Sequence, residues 1–355
     1  MTTSTVPPTP PTVSLAPDYS IPRLIKGGWQ LAGGHGAVNA DSAIADMFAF
    51  ADAGITAFDC ADIYTGVEAL IGRFLREWRN ARGSDAPAIR VHTKCVPDLD
   101  RLPSLTRADI ERIIDRSLQR LGTERLDLVQ FHWWDYDIPG AVEAALHLRD
   151  LQRAGKIHHL GATNFDTPHI AALLDAGVPL VSHQVQVSVL DGRALQAMAS
   201  LCTTRGVGLL CYGALAGGFL HERWLDVAEP LPPLENRSLV KYKLIIDDFG
   251  GWALFQRLLQ TMRDVAKAHD TTIGAIAIRY VLDQPPVAAS IVGARSAAHL
   301  RPTLTAAALT LSPAEQATLS ALLAERSGPL GDVYALEREK GGRHASIMRY
   351  NLNTT

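Results

Sequence analysis

Short apolar runs alternate with segments of helical spacing along most of the chain. Eight runs rich in apolar and β-branched residues predict β-strands over residues 24–30, 55–61, 89–95, 126–132, 159–164, 180–186, 208–215 and 288–294. Between these runs, apolar residues recur at steps of three or four, which is typical of amphipathic helices. Because strand and helix alternate eight times, the pattern predicts an α/β protein built as a single parallel (β/α)8 TIM barrel.

Polar caps and glycines mark the ends of several predicted helices. We expect Asp41, Thr106 and Asp166 to cap helix N-termini, because their side chains accept hydrogen bonds from unpaired backbone N–H groups. Gly122 is expected at a helix C-terminus, and the capping-box sequence that begins at Ser312 predicts a last helix. Further helices are predicted over residues 68–80, 141–154, 193–205, 252–283 and 296–309.

Three segments fall outside the regular alternation. Residues 1–20 are rich in Pro, Thr and Ser, so we expect a flexible N-terminal tail before a barrel over residues 21–355. Residues 219–251 form a long insertion after the seventh strand, and residues 326–355 follow the last helix as a C-terminal tail. Long loops at the C-terminal rim of a barrel build its active site, so both segments are candidates for the substrate pocket. The alternative for the insertion is a disordered segment.

Charge and hydropathy argue against several classes of protein. Among the 355 residues, 34 are basic and 37 are acidic, and the formal net charge of −3 gives no electrostatic reason to expect a nucleic-acid or anionic-membrane partner. No segment reaches the roughly 20 apolar residues that span a bilayer, and the N-terminus lacks the apolar region of a secretory signal. The four cysteines form no CxxC pair, so a reducing, cytoplasmic location is expected.

Polar side chains stand at the ends of four predicted strands. Asp59, Lys94, His132 and Asn164 occupy these positions, and Tyr64 follows in the loop after the second strand. A parallel barrel brings all C-terminal strand ends to one rim, so we expect these groups to converge there. A lysine beside a tyrosine favours the phenolate and lowers the phenol's pKa, and a carboxylate holds the lysine in place. The set therefore predicts a proton-transfer site, with His132 as a neutral donor to a substrate carbonyl.

Other chemistries find less support in the sequence. No GxSxG motif is present, no cysteine has an evident histidine partner, and His158, His159 and His132 lack the spacing of metal ligands. A doubly wound open sheet is disfavoured because no GxGxxG turn follows an early strand. A proton donor without a nucleophile or a metal requires an external reductant.

These residues make the chain similar to a known family. The segments FDCADIYTGVEALIG, LVQFHWWD, LGATNFD, YGALAGGFL and SIVGARSAAHL, together with Gln184, occur in the order found in the aldo/keto reductase superfamily. The chain resembles that superfamily from Leu24 to about Leu304. The resemblance implies a (β/α)8 oxidoreductase that binds NADP(H), with NAD possible, and that acts on an aldehyde or ketone or on the corresponding alcohol or sugar.

The resemblance also implies a role for each matching residue. Tyr64 corresponds to the catalytic acid, and Asp59 and Lys94 correspond to the pair that tunes its pKa. His132 corresponds to the residue that orients the carbonyl. The implied cofactor contacts are Thr163, Asn164 and Gln184 at the nicotinamide carboxamide, Tyr212 against the nicotinamide ring, Gly213, Leu215, Gly217 and Gly218 near the pyrophosphate, and Arg295 and Ser296 at the 2′-phosphate.

Some departures from the family pattern concern the adenine end of the cofactor. His299 and Thr303 replace Gln and Asn, and this puts the preference for NADP over NAD in doubt. Four aromatic residues at or after strand ends are expected to wall the substrate pocket: Trp29, Trp133, Trp134 and Trp252. The leading hypothesis is an enzyme that acts on a small-molecule substrate. The alternatives are a cofactor-sensing regulatory subunit with slow turnover and an aldolase that forms a Schiff base on Lys94.

Overall fold

Eight parallel strands close into a barrel in the computed structural model, which describes residues 9–32, 36, 38–83, 85–293 and 296–353. The described strands are β1 (Thr12–Ala16), β2 (Tyr19–Pro22), β3 (Leu24–Gly27), β4 (Ala57–Asp59), β5 (Arg90–Cys95), β6 (Leu126–Phe131), β7 (Ile157–Thr163), β8 (Leu180–Gln186), β9 (Gly208–Tyr212) and β10 (Val287–Val292). Strands β3 to β10 follow one another around the barrel, and β10 pairs with β3 to close it. The predicted (β/α)8 barrel is confirmed.

Helices surround the barrel, most of them where helical spacing predicts them. The predicted helix over residues 252–283 is divided in two at residues 269–272, and the segments 219–251 and 326–355 contain helices that were not predicted. The described α-helices are α1 (Ala40–Asp52), α2 (Val67–Arg82), α3 (Arg107–Leu121), α4 (Ala141–Arg153), α5 (Thr167–Asp175), α6 (Ala197–Arg205), α7 (Arg237–Phe249), α8 (Gly251–Ala268), α9 (Ile273–Leu282), α10 (Leu300–Ala308), α11 (Pro313–Leu323) and α12 (Ala335–Arg338). Short 3-10 helices cover Trp29–Leu31, Leu99–Ser104, Arg193–Leu195, Ala216–Gly218, Glu222–Trp224, Ala297–His299 and Ala345–Ile347. Within the described part of the chain, no helix has the length and apolar character to cross a membrane.

The predicted N-terminal helix caps are present at three of four positions, and Gly122 ends α3 as predicted. Thr106 and Ser312 each form a capping box at the starts of α3 and α11, and the Asp166 side chain accepts from the His169 N–H at the start of α5. At α1 the prediction of Asp41 is wrong by two residues. Asn39 caps the helix there, because its side chain accepts the Ser42 N–H, and Asp41 lies within the first turn.

An N-terminal hairpin replaces most of the predicted flexible tail. Strands β1 and β2 pair in antiparallel register, with Val13 opposite Ile21. The ring of Tyr19 and the side chain of Ile21 are 0% and 1% exposed, because they pack with apolar residues of the barrel strands at its N-terminal end. The expectation of a flexible tail over residues 1–20 is therefore wrong for the hairpin, and residues 1–8 lie outside the described residues.

The insertion after the seventh strand is folded, and the alternative of a disordered segment is wrong. Residues 219–251 contain α7, whose apolar face buries Leu239, Ile245 and Phe249 in a cluster shared with α8. This cluster is separate from the main apolar layer between the barrel and its helices. The predicted C-terminal tail, residues 326–355, contains α12 and a 3-10 helix, as far as residue 353.

Candidate active site

Asp59 and Lys94 form a buried ion pair at the C-terminal rim of the barrel. Lys94 Nζ donates to both carboxylate oxygens of Asp59, at 2.9 and 2.8 Å, and to the Cys60 carbonyl at 2.8 Å. Both residues are 4% exposed. They meet because β4 and β5 are neighbours in the barrel and both side chains point into it. The structure therefore brings together the pair that the sequence predicts.

Tyr64 lies directly beside this ion pair. Lys94 Nζ is 5.1 Å from the centroid of the Tyr64 ring, and the Trp29 ring covers Tyr64 at a centroid distance of 5.1 Å. Burial raises the pKa of Tyr64 above its ordinary value, and the charge of Lys94 opposes that increase. The effect of Lys94 has the predicted sign, but the expected net lowering of the pKa is not found, because burial outweighs the charge.

His132 is neutral, and the position of its proton differs from the expected one. Its Nδ1 lies 3.0 Å from the Thr163 carbonyl oxygen, which can only accept, so Nδ1 carries the hydrogen. Burial and, to a smaller extent, the charge of Arg338 lower the pKa of His132 to about 3. Nε2 is buried, holds a lone pair and has no hydrogen-bond partner among the described residues. His132 is thus an acceptor toward the barrel mouth and not the neutral donor that was expected.

The residues expected at a nicotinamide carboxamide meet at the ends of β7 and β8. Asn164 has a left-handed backbone with φ of 60°, and its Oδ1 accepts from the Tyr212 hydroxyl at 2.9 Å. The Thr163 hydroxyl is buried and has no partner within the described ranges. Gln184 Nε2 donates to Asp59 Oδ1 at 2.6 Å and to Gln130 Oε1 at 3.0 Å. Both hydrogens of its amide NH2 group therefore already have acceptors within the protein.

The loop after β9 has the backbone that its glycines allow. Gly213, Gly217 and Gly218 all have positive φ, and a Cβ at Gly217 would lie 2.7 Å from the Tyr242 ring of α7. These glycines thus permit close packing of α7 as well as the proposed approach of a pyrophosphate. Leu215 lies in the same loop, and its carbonyl accepts the Gly218 N–H.

The residues expected at the adenine end are only partly described. The Ser296 hydroxyl accepts the Ala298 N–H at 3.4 Å and caps the 3-10 helix that follows β10. Arg295, the other residue expected at a 2′-phosphate, lies outside the described residues. Thr303 Oγ1 donates to the His299 carbonyl at 2.7 Å and is 5% exposed, so it packs within its own helix.

Two of the four tryptophans expected in the pocket lie at the barrel mouth. Trp29 covers Tyr64, and the Trp134 ring meets His132 edge-on at 4.3 Å. Trp133 is 1% exposed and packs against Phe131 in the layer behind the barrel.

The fourth, Trp252, belongs to an outer aromatic cluster. In the described part of the structure its ring contacts are with Phe219, Trp224 and Phe255, and its indole N–H donates to the Val227 carbonyl at 2.9 Å. The structure therefore does not bring Trp133 or Trp252 to Tyr64.

The C-terminal segment, residues 333–338, covers the mouth of the barrel. Arg338 donates to the carbonyls of Trp133, Trp134 and Asn164 at 2.7, 3.1 and 2.8 Å. Tyr334 packs edge-on against His132, with ring centroids 5.8 Å apart. The segment is thus fastened to the ends of β6 and β7 and places an aromatic ring over the predicted catalytic group.

A buried ion network holds the same segment from its other side. Glu337 Oε2 lies 3.3 Å from Arg193, and Glu337 Oε1 lies 3.4 Å from Lys241 of α7. Although burial raises the pKa of Glu337, Lys241 and Arg193 outweigh it and hold the pKa at about 2. Lys241 Nζ also lies 5.3 Å from the centroid of the Tyr212 ring.

Two cavities flank the C-terminal segment. The first has a volume of about 10 Å³ and is lined by Asn164, Tyr212, Tyr334 and Glu337, among others. That volume holds a single water molecule. The second is a cleft of about 330 Å³ between Trp134, Arg338 and Tyr350. The side of Tyr212 that faces Tyr334 is therefore closed in this conformation, while the cleft beside Trp134 is open.

Several residues of this site were not predicted from the sequence. Gln130 donates to Asp59 Oδ1 at 3.1 Å, and its signal was a polar residue inside the apolar run LDLVQFH. Tyr334, Glu337 and Arg338 gave no periodic signal, because they belong to the single short turn of α12 and its N-cap, which dock on strands far away in the sequence.

Asp62, in the loop between β4 and α2, was also not singled out. Its Oδ2 accepts the Val96 N–H at 3.2 Å, and its Oδ1 is buried without a partner among the residues described. Burial and the nearby Glu68 raise the pKa of Asp62 to about 8. Asp62 is thus a neutral acid at neutral pH.

Comparison with known proteins identifies the relatives of the chain. The model of the Aldo/keto reductase family matches residues 23–324. The NADH-specific methylglyoxal reductase of Escherichia coli K12 is 25% identical over 329 residues, which cover 87% of this chain and 96% of that protein. Flagellar radial spoke protein 5 of Chlamydomonas reinhardtii is 26% identical over 263 residues. These cover 63% of this chain, which spans about half (49%) of that protein.

A solved structure supports the same architecture. The glycerol dehydrogenase AKR11B4 from Gluconobacter oxydans superimposes with a TM-score of 0.73 at 24% sequence identity, over 88% of this chain and 95% of that one. The alternative of a regulatory subunit gains no support from these comparisons.

Proposed function

The chain belongs to the aldo/keto reductase family, and from this premise we propose that it is an NAD(P)H-dependent oxidoreductase that interconverts a small carbonyl compound and its alcohol. Tyr64 is the proposed general acid in reduction and the general base in oxidation. The observation that supports this proposal most is the arrangement of Lys94. Its ammonium bonds both oxygens of Asp59 and lies 5.1 Å from the Tyr64 ring centroid.

Lys94 and Asp59 act on the proton of Tyr64. The phenol loses its proton at a lower pH when an ammonium lies beside it, because the ammonium stabilises the phenolate. Burial alone would make the phenolate still harder to form in this site. Asp59 keeps Lys94 in position and charged, and Gln130 and Gln184 both donate to the same carboxylate oxygen, Oδ1. The carboxylate is therefore fixed by three donors.

His132 is proposed to select the substrate by accepting a hydrogen bond. A lone pair at Nε2 cannot bond a carbonyl oxygen, but it can accept the O–H of a hydroxyl group. If Tyr64 donates to the carbonyl, Nε2 then suits a hydroxyl on the neighbouring carbon of the substrate. We therefore propose α-hydroxy aldehydes or ketones, and the corresponding vicinal diols, as the substrate class.

The residues at the ends of β7, β8 and β9 suit a nicotinamide cofactor. The unpartnered Thr163 hydroxyl and the Asn164 amide offer donors and acceptors to a carboxamide, and Tyr212 offers a flat ring. The nicotinamide supplies or accepts the hydride when it is bound. Because the cavity between Tyr212 and Tyr334 has a volume of about 10 Å³, the C-terminal segment must move before a nicotinamide can occupy that side of Tyr212.

We propose NADP as the cofactor, with NAD possible. The support is the predicted pairing of Arg295 with a 2′-phosphate, and Ser296 lies next to it at the start of a 3-10 helix. The methylglyoxal reductase of Escherichia coli is named as specific for NADH, so both cofactors belong in the test.

The test is a panel of carbonyl compounds assayed with NADPH and with NADH by loss of absorbance at the nicotinamide band. The panel pairs each α-hydroxy aldehyde with the aldehyde that lacks the hydroxyl. We expect turnover with at least one cofactor and higher kcat/KM for the hydroxylated member of each pair. Absence of turnover with every carbonyl and both cofactors would refute the proposed function. Equal kcat/KM for the hydroxylated and the unhydroxylated member of each pair would refute only the proposed substrate class.

A further inference from the structure

Three metal-binding side chains meet at the N-terminal end of the barrel, opposite the rim that holds Tyr64. Asp18 lies in the turn between β1 and β2, and His158 and His159 lie at the start of β7. The fold brings these groups together across 140 residues of sequence. The proposed reductase chemistry makes no use of them.

The distances suit ligands of a common ion. Asp18 Oδ2 lies 2.7 Å from His158 Nε2, and Asp18 Oδ1 lies 3.2 Å from His159 Nε2. The three ligand atoms all lie within 4.8 Å of one another, and the imidazole centroids are 4.1 Å apart. Ligand atoms about 2.0–2.2 Å from a tetrahedral Zn²⁺ lie about 3.3–3.6 Å apart. The Asp18–His159 pair is close to that spacing, and the Asp18–His158 pair would have to separate by less than about 1 Å on binding.

The nitrogen of His159 has an unmet bonding requirement. His159 is 8% exposed, and its Nε2 makes no hydrogen bond to any described residue although it faces Asp18. A buried polar atom without a partner costs free energy, so such atoms are rare in folded proteins. A cation between His159 and Asp18 would use this lone pair.

The charged side chains at and around the site carry two negative and two positive charges. Asp18 supplies one negative charge. The other charged side chains that act on the two histidines and on the adjoining Tyr19 are Asp127, Arg90 and Arg125.

We propose that Asp18, His158 and His159 form a binding site for a borderline divalent cation such as Zn²⁺ or Co²⁺. Two imidazole nitrogens and a carboxylate oxygen are ligands that these ions accept. The Asp18 side chain is 62% exposed, so water reaches the site and completes a tetrahedral set. The ion would join the hairpin to β7 and hold Tyr19 in the end of the barrel.

The test is titration of the full-length chain, without a polyhistidine tag, with CoCl2 and ZnCl2. Co²⁺ is followed by its visible absorption, which reports tetrahedral coordination, and Zn²⁺ by calorimetry. The variants are Asp18→Asn, His158→Gln and His159→Gln. The matched control is His169→Gln, because His169 also pairs with a carboxylate, Asp166, at 2.6 Å but has no second histidine.

We expect one ion per chain and a Kd that rises at least about tenfold in each of the three variants and stays unchanged in the control. Zn²⁺ should also raise the Tm of the wild-type chain and not that of Asp18→Asn, whose exposed turn position lets the variant fold. The proposal is wrong if any of the three variants binds as tightly as the wild type, or if His169→Gln weakens binding equally. Carbonyl reduction is measured in parallel, and Asp18→Asn should reduce carbonyls at the wild-type rate. The outcome of the metal titration therefore does not depend on the proposed function.

Discussion

His132 donates its Nδ1–H to the Thr163 carbonyl at 3.0 Å, and this bond leaves Nε2 as a buried acceptor at the barrel mouth. We therefore expect a hydroxyl next to the substrate carbonyl to raise kcat/KM in the wild type by about 5- to 150-fold over the deoxy analogue, because a buried acceptor left unpaired costs about 1–3 kcal/mol. In His132→Leu the two substrates should become equivalent. The measurement is kcat/KM for matched pairs in both proteins, and a ratio that His132→Leu leaves intact would contradict the assignment.

The buried ion pair of Asp59 and Lys94 gives a second prediction, in which its effect on folding stability is separated from its effect on turnover. Lys94→Met leaves the Asp59 carboxylate buried without its cation, so we expect a loss of about 3–5 kcal/mol in the free energy of unfolding. The double variant Asp59→Asn/Lys94→Met removes both charges and should recover much of that stability. Both variants should have low turnover, because neither holds an ammonium beside Tyr64.

Urea unfolding and single-turnover rates measure these two effects. Recovery of turnover together with stability in the double variant would show that the ion pair serves the fold and not the proton transfer. A weakened affinity for the cofactor with normal single-turnover rates in Lys94→Met would contradict the role of Lys94 beside Tyr64.

Arg338 fastens the segment that covers Tyr212, and its removal should speed entry of the cofactor. Arg338→Met loses three hydrogen bonds to backbone carbonyls, and a hydrogen bond to a charged group contributes about 1.5–3 kcal/mol. We expect stopped-flow association of NADPH to reach a limiting rate in the wild type, set by opening of the segment. Arg338→Met should raise that rate at least about tenfold.

The control for this prediction is Arg343→Met, which changes an arginine of the same C-terminal region that pairs with Asp248 instead. An association rate that is proportional to NADPH concentration and equal in all three proteins would show that the segment does not limit entry.

Because the pKa of Asp62 is raised, we expect the free energy of unfolding to fall as the pH rises. Burial and Glu68 raise its pKa in the folded state to about 8, from an ordinary value of 3.8. Between pH 3.8 and about 8, Asp62 therefore holds its proton in the folded protein and has lost it in the unfolded chain. The free energy of unfolding decreases as the pH rises through this range. Asp62→Asn should flatten the pH dependence of the free energy of unfolding and stabilise the protein at pH above about 8. A pH dependence equal to that of the wild type would contradict the assignment.

The barrel was predictable because each of its strands is an apolar run of the right length between helical segments. The convergence of Asp59, Lys94 and His132 followed from the same pattern, since parallel strands end at one rim. The N-terminal hairpin was missed although its signal was present. Val13, Leu15, Tyr19 and Ile21 alternate with polar residues around a Pro-Asp turn, but the Pro and Thr content of the segment suggested disorder.

Other parts of the site could not be predicted from local patterns. The proton position on His132 depends on the Thr163 carbonyl, which is 31 residues away in sequence. Arg338 meets Asn164 across 174 residues, and no periodicity indicates such a contact. The raised pKa of Tyr64 follows from how deeply the ring is buried, which depends on packing that a sequence does not display.

In the proposed reaction, Tyr64 transfers the proton. The most direct measurement compares Tyr64→Phe with the wild type in steady-state reduction of the best carbonyl substrate, together with the Kd for NADPH from fluorescence titration. Phe keeps the ring packed against Trp29 and removes only the hydroxyl, so the fold and the affinity for NADPH should be unchanged. We predict that kcat falls by about 10²–10⁴-fold. A Tyr64→Phe variant that turns over at the wild-type rate would contradict the account.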